Sequence, residues 1–474
     1  MKPTLDIIHI TAECYPIAKV GGLADVVGAL PFYQNKIGHH TSVVMPFYDN
    51  KFTQQNEFKN VAAFSISLDD TVYEVTVKKL SDKEQLNFEC FFVDIPKLLF
   101  TNYVYSENDI DRFLAFSIAT LTWLNNQPDF PSVIHCHDHH TGLIPFMMSQ
   151  CHEFEEFKRI PSILTIHNAQ YQGWMSHDHM SKFPEFDFDQ VGLLDWNGVI
   201  NPLAAAIKCA WSVTTVSPSY MEELKYNANG LESLIQSEFQ KCTGILNGID
   251  TNVWNPETDS FLVKNYTKSS FTSGKKANKK SICDEFDLDI NKPLFAFIGR
   301  LVGEKGAELL PDVIENTLSK IDCSILILGS GHDETERALS VLKDRFSKNY
   351  NCFIGYDEAL SHRIYAGADF LLMPSRVEPC GLNQMYSLRY GTVPIVRQIG
   401  GLKDTVIDIS ENGFGITHLH TEVNDIVNAI ERATIFYSQS EKFKENKKRI
   451  MQIDHSWDKS AQEYIHLYKL QKHD

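Results

Sequence analysis

Short, nearly continuous apolar runs recur along this chain, each trailed by a helical pattern, and that repetition constrains the fold more than any other feature. In the first half they read LDIIHIT, TSVVMPF, SVIHC, SILTIH and SVTTVS; in the second, LFAFIG, SILILG, NCFIG, DFLLMP and TVPIV. A strand that is apolar on both faces must be covered on both, and helices between successive strands supply the cover. The pattern predicts an α/β fold on parallel sheets, doubly wound in each half, with ligands beyond the carboxyl ends of the strands. Two such units facing each other make a cleft. Between residues 61 and 93 the alternating segments AAFSISL, VYEVTVKKL and FECFFVDI predict an antiparallel insertion.

A chain of 474 residues exceeds one comfortable core. The break between halves is expected between GILNGIDTNVWNPETD and KPLFAFIGR, where the basic run KSSFTSGKKANKK reads as a solvated lead-in to a helix. A formal net charge of -17 argues against a general binder of nucleic acid or anionic membrane, so an anionic ligand needs a local cluster of cations and backbone N–H groups. The ten cysteines are scattered singly, as reduced, packed thiols would be. The opening MKPTLDIIHITAEC reads as a first strand rather than a signal peptide, and no apolar stretch reaches membrane-spanning length. The expectation is a cytoplasmic protein without a nucleic-acid or membrane partner; oligomeric state is left open.

Several motifs sit where strands end. After the first strand, AKVGGLADVVGALP places Gly21 and Gly22 at a helix start with Lys19 beside them, which suits a phosphate but, taken alone, reads sooner as a plain glycine turn with a solvated lysine. HCHDHHTGL puts His137, Asp138 and His139 at a strand end. Adjacent loop positions rarely converge on one ion, so Asp138 and His139 read as polar groups facing a ligand, and no metal site is assigned. TIHNAQYQGW leaves His167, Asn168 and Gln170 at another strand end. In GRLVGEKG, Arg300 and Lys305 form the fork-and-point-charge pair that suits a diphosphate, or else two solvated cations.

The stretch SRVEPCGLNQMYSLRYGTVPIVRQIGGLKDTV sets Glu378 just before a helix expected from Gly381. A helix start attracts anions, whereas a carboxylate repels phosphate and accepts hydrogen bonds from hydroxyls. A ligand with an anionic half and a polyhydroxy half satisfies both. A nucleotide sugar has that shape.

Together these segments, with TTVSPSY, GILNGIDTNVWNP and a terminal SWDKSAQEYIHLY, resemble nearly end to end the glycogen and starch synthases that elongate α-1,4-glucan from a nucleoside-diphosphate glucose. The resemblance implies two Rossmann-like domains facing across a cleft, the GT-B glycosyltransferase architecture. Residues 1–255 would form the acceptor-side domain, 256–455 the nucleotide-sugar domain, and 456–474 a helix returning to the first. It implies Asp138, His167, Arg300, Lys305 and Glu378 as catalytic residues, and Lys19, Gly21, Gly22, Asn168, Gly381, Leu382 and Asn383 on the donor. It also implies retention at the anomeric carbon, a donor of ADP-glucose or UDP-glucose, a glycogen-like acceptor, and no cofactor or obligatory metal. Departures from the family pattern are Val20 and Asn383 where threonines are common, the HDHH order, and the stretch LLFTNYVYSEN at 98–108. Alternatives are a retaining transferase of the same architecture with a small-sugar or lipid acceptor, a catalytically silent glucan-binding homologue, and an α-glucan phosphorylase, which would need a Schiff-base lysine and a longer chain.

Overall fold

The computed structural model describes residues 4–81, 86–107 and 109–471; residues 1–3 of the opening segment and Asn108 of the 98–108 stretch lie outside them. It comprises two compact units, Met1–Gly248 with Trp457–Asp474, and Ile249–Ser456.

The first unit contains strands β1 (Asp6–Ile10), β2 (His40–Pro46), β3 (Phe58–Leu68), β4 (Thr71–Leu80), β5 (Glu89–Asp94), β6 (Val133–His137), β7 (Ser162–Ile166), β8 (Asp195–Trp196), β9 (Val199–Ile200), β10 (Ser212–Thr215) and β11 (Cys242–Gly244). Apart from the β8–β9 pair they form one sheet in the order β11-β10-β7-β6-β1-β2-β5-β4-β3. The central strands β6 and β7 are buried at every residue, their polar His135, His137, Ser162 and Thr165 included. The antiparallel insertion is narrower than its sequence suggests: β4 runs antiparallel to β3 and β5, but β5 itself pairs in parallel with β2. Its segment FECFFVDI therefore belongs to the main sheet, which explains why its apolar positions crowd together.

The C-terminal helix Trp457–Gln471 completes this unit. Its Trp457, Tyr464 and Tyr468 pack with Val26, Leu30 and Tyr33 of the helix Gly22–Lys36 and with Leu5 and Ile7. Fully burying an aromatic of this size contributes about 2–3 kcal/mol, so the docking is firm.

The second unit contains β12 (Leu294–Ile298), β13 (Ser324–Gly329), β14 (Tyr350–Ile354), β15 (Phe370–Met373), β16 (Val393–Arg397) and β17 (Ile416–His418). All are parallel, in the order β14-β13-β12-β15-β16-β17. Residues 249–255, read from sequence as the end of the first domain, belong here. Arg389 donates to the carbonyls of Trp254 (2.7 Å) and Thr251 (3.2 Å), and the Trp254 ring stacks on both His362 and Tyr386.

The basic run before β12 is only partly solvated. From Phe271 on it lies in the helix Phe271–Phe286, where Lys276 and Lys280 are exposed but both Lys275 and Lys279 are buried. Lys275 Nζ donates to the carbonyls of Tyr365, Ala366 and Tyr390 and to Thr392 Oγ1, while Lys279 Nζ reaches Asp369 at 2.7 Å. Burial pulls the Lys275 ammonium well below its usual range. The glycine immediately before Lys275 makes the fit possible, since a Cβ on Gly274 would stand 2.3 Å from Tyr266. Every cysteine is a free thiol. Among the described residues no helix is long and apolar enough to cross a membrane.

Candidate active site

In the second unit the strand order reverses between β12 and β15. Loops diverge there and leave room for a ligand beyond the strand ends. The loop after β12 carries Arg300 and Lys305, and the loop after β15 carries Glu378. The chain beyond Lys305 passes through Gly306 at φ +66 and a short 3-10 turn before the helix Leu310–Leu318. A side chain at Gly306 would stand 2.5 Å from the Pro374 carbonyl, so the two loops are pressed together.

That closeness joins Lys305 to Glu378. The ammonium donates to both carboxylate oxygens, at 2.8 and 2.7 Å, and Ser375 Oγ donates to Oε2 at 2.9 Å. Arg300 stands apart from the pair that the sequence suggests. Its side chain is 61% exposed and its nearest acid is Glu304 at 3.4 Å. The close couple in this unit is therefore Lys305 with Glu378, not Lys305 with Arg300.

The helix after Glu378 spans Asn383–Arg389, with Leu382 as its N-terminal cap and Gly381 at φ +72. Asn383 Nδ2 donates to the Ile298 carbonyl at 2.8 Å, tying the helix start to the end of β12. The glycine pair Gly400–Gly401 supports Glu378 from behind. A Cβ on Gly400 would fall 2.0 Å from the Glu378 carbonyl, and one on Gly401 would fall 2.1 Å from that of Cys380. Only glycines allow backbone to press on backbone here.

In the first unit the order reverses between β1 and β6. Gly21 and Gly22 start the helix Gly22–Lys36 as expected. Their loop is held by Glu13, a residue the sequence reading passed over. Glu13 Oε2 accepts from Val20 N–H (2.6 Å) and Gly21 N–H (2.9 Å), and Oε1 accepts from Tyr105 O–H (2.5 Å). Tyr105 comes from the divergent 98–108 stretch, and its ring stacks on His140. Lys19 is exposed and donates to Asp25 at 2.7 Å.

Asp138 ends β6 with φ 57 and ψ −174, a conformation nearly confined to glycine, which costs a non-glycine residue about 1–3 kcal/mol. Its Oδ1 accepts from the backbone N–H of His167 (2.7 Å) and Asn168 (3.4 Å), binding the end of β6 to the end of β7. Burial raises its carboxyl to about 7, against the opposing pull of those two N–H groups. Asn168 turns back on its own loop, with Oδ1 accepting from Gln170 N–H at 3.0 Å. His139 does not stand beside Asp138 as a ligand-facing group. Its ring lies against that of His140, tilted by 36° with centroids 3.7 Å apart, and a Cβ on Gly173 would touch it at 2.6 Å. The ring of His137 joins those of His9 and His135 within the first unit.

A family model described as the starch synthase catalytic domain matches residues 6–237, and one for glycosyl transferases group 1 matches 279–450. The glycogen synthase of Flavobacterium johnsoniae is 50% identical over 469 residues, covering 98% of this chain and 99% of that protein. The chain belongs to the glycogen and starch synthase family. Another relative, the glycogen synthase of Finegoldia magna, is 36% identical over 482 residues, covering 98% of this chain and 99% of that one. Among solved structures, the catalytic domain of starch synthase IV from Arabidopsis thaliana, bound to ADP and acarbose, superposes with a TM-score of 0.91 at 31% identity over the whole of both chains. The sucrose-phosphate synthase of Thermosynechococcus elongatus shares the fold, with a TM-score of 0.63 at 16% identity, covering 98% of each chain. The synthase family consists of glucosyltransferases of GT-B architecture, and this chain is one of them.

Glu13, Tyr105 and Ser375 are the polar residues at these strand ends that sequence reasoning missed. Glu13 had a faint signal, as an acid three residues after a buried strand and eight before the glycine at a helix start. Tyr105 had none, because its loop shows no periodicity.

Proposed function

We propose that the protein extends α-1,4-glucan, transferring glucose from ADP-glucose to the non-reducing end with retention at the anomeric carbon. The Lys305–Glu378 pair carries this reading. It presents a cation and a carboxylate at one place beyond the strand ends of the second unit, and a nucleotide sugar offers phosphate oxygens to the first and hydroxyls to the second. Lys19, Arg300 and the N–H groups near Gly21, Gly22, Gly381 and Leu382 would stabilise charge growing on the departing diphosphate. Preorganised donors of this kind are worth about 3 kcal/mol each. ADP on the plant starch synthase supports adenine in the donor.

Two carboxylates close together would suggest a double-displacement route through a covalent sugar–enzyme intermediate. Asp138 is poorly suited to nucleophilic attack, being buried and bound to two backbone N–H groups. Glu378 is committed to Lys305 and Ser375. The reading is a front-face transfer: the acceptor hydroxyl oxygen bonds to the anomeric carbon as the bond to phosphate breaks, and its proton passes to the leaving phosphate oxygen. His167 and Asn168 line the hexose. The reaction has no obligatory metal and no cofactor, and the protein works in the cytoplasm without nucleic-acid or membrane partners.

Incubation with glycogen and either ADP-glucose or UDP-glucose, followed by nucleotide release, tests this. Glucan-dependent release from ADP-glucose is expected. Release driven by a small sugar or lipid instead would replace the acceptor, and no release from either donor would overturn the reading.

A further inference from the structure

A buried polar stripe crosses the first sheet. His9 of β1 pairs in register with His135 of β6, His137 with Thr165 of β7, and Thr165 with Thr214 of β10. His9, His135, His137, Thr165 and Thr214 are all fully buried, as are Gln34 and Tyr468, which reach them from two helices.

Their hydrogen bonds run in one direction, and a backbone carbonyl fixes which. The Leu164 carbonyl can only accept, so Thr214 Oγ1 donates to it (3.3 Å) and in turn accepts from Thr165 Oγ1 (2.5 Å). Thr165 Oγ1 must then accept from His135 Nε2–H (2.6 Å), which leaves His135 Nδ1 to accept from Tyr468 O–H (2.6 Å). Tyr468, having donated its proton, accepts from Gln34 Nε2–H (3.2 Å). The Gln34 amide is thereby oriented, with Oε1 accepting from His9 Nε2–H at 2.9 Å. His9 Nδ1 accepts from His137 Nε2–H (3.0 Å), and His137 Nδ1 accepts from His167 Nε2–H (3.0 Å).

The scheme needs neutral imidazoles. Burial lowers His9 to about 4 and His167 to about 3, and holds His135 and His137 well below the usual range. The ligand nitrogens of His9, His135 and His137 lie within 4.8 Å of one another, the spacing of a metal group. The same nitrogens are already joined to protein partners, and the 3.0 Å between His9 Nδ1 and His137 Nε2 holds a shared hydrogen. A hydrogen-bonded relay accounts for the cluster without an ion.

We infer that Gln34 and His9 are positioning residues which, through His137, hold His167 as the Nε2–H tautomer and present its Nδ1 lone pair as a hydrogen-bond acceptor. Among the described residues Nδ1 of His167 has no protein partner. Resting on the reading of His167 as a hexose-lining residue, the inference makes that nitrogen an acceptor for a sugar hydroxyl, selecting a ligand that donates there. Neither Gln34 nor His9 touches the ligand in this scheme.

Nitrogen-15 spectra of the full-length protein labelled at histidine read the tautomer directly, with the His167 resonance assigned by its loss in His167→Gln. The wild type is expected to show protonated Nε2 and bare Nδ1; the opposite pattern overturns the inference without any further variant. Gln34→Met removes the acceptor that orients His9. It should mix the His167 tautomers and lower kcat/KM for the donor about five- to tenfold, the effect of one hydrogen bond. Gln34→Glu keeps an oxygen that accepts from His9 and should keep the wild-type tautomer. An unmoved tautomer in Gln34→Met overturns the relay. A moved tautomer with unchanged kinetics overturns the positioning role. If His167→Ala is also kinetically silent, it is the placement of His167 at the hexose that has failed.

Discussion

The carboxylate of Glu13 closes the glycine loop by accepting hydrogen bonds from the backbone N–H groups of Val20 and Gly21. A side chain at the end of the first strand thus sets the loop's shape. Glu13→Ala should release that loop while leaving the core intact, since the loop itself is largely exposed. Losing two charge-assisted hydrogen bonds costs about 2–3 kcal/mol of local order. The donor KM should rise by about tenfold with kcat less affected, as steady-state kinetics would show. An unchanged KM would separate the loop from donor binding.

Glycines in this chain serve two different needs, and substitution by alanine tells them apart. A Cβ on Gly22 meets nothing within 4 Å. Gly22→Ala should hold or slightly raise the melting temperature, since alanine favours a helix over glycine by about 1 kcal/mol. Turnover should nevertheless fall, because the added methyl occupies the space a phosphate needs. Gly400→Ala should behave oppositely, because it sets a methyl 2.0 Å from the Glu378 carbonyl at a residue with φ +46. Loss of about 3 kcal/mol or failure to fold is expected there. Thermal melts run beside activity assays decide both.

Lys305 and Glu378 should prove coupled in a double-mutant cycle. Lys305→Ala leaves a buried carboxylate with Ser375 alone among the described residues, and Glu378→Gln leaves the ammonium without its acid. Each single change should cut turnover at least about tenfold, as removal of one preorganised charge does. The double variant should lose less than the product of the two. Strict multiplicativity would mean that the two residues act independently.

Acid should weaken the first unit, with a sign that can be worked through. His9 and His167 have folded values of about 4 and about 3, below the usual 6.5. The stability they contribute is present above pH 6.5 and is lost as pH falls toward those values. Asp138 works against them: raised from 3.8 to about 7, its contribution is full below pH 3.8 and is lost as pH rises through 7. Between pH 7 and 5 the melting temperature should therefore fall on acidification. In Asp138→Asn the fall should be steeper, because the opposing group is gone. A flatter profile in that variant would contradict the assignment.

Strand runs such as SVIHC and DFLLMP were legible because burial on both faces leaves a short, largely apolar run at β6 and β15. Glycine helix starts and the loops bearing Arg300, Lys305 and Glu378 were legible for a related reason: parallel topology sends ligand-facing loops to one edge. Pairings across sequence were not. Lys305 and Glu378 meet only because Gly306 lets two loops touch, and local composition carries no trace of that. Lys275 and Lys279 looked solvated because a basic run usually is; four backbone and hydroxyl acceptors and Asp369 make burial tolerable instead. The histidines of β1 and β6 sat in plain view within LDIIHIT and SVIHC. Their connection appears only when parallel register sets His9 beside His135.

Tyr468, from the C-terminal helix, supplies the hydroxyl between Gln34 and His135. During translation the ribosome delivers His9 and Gln34 long before this phenol. The uninterrupted stretch Ile249–Ser456 can settle as soon as it emerges, whereas the earlier-made portion must wait for the helix Trp457–Gln471 before its interior is whole. A premature stop ahead of Trp457 would therefore strike at an older part of the nascent polypeptide.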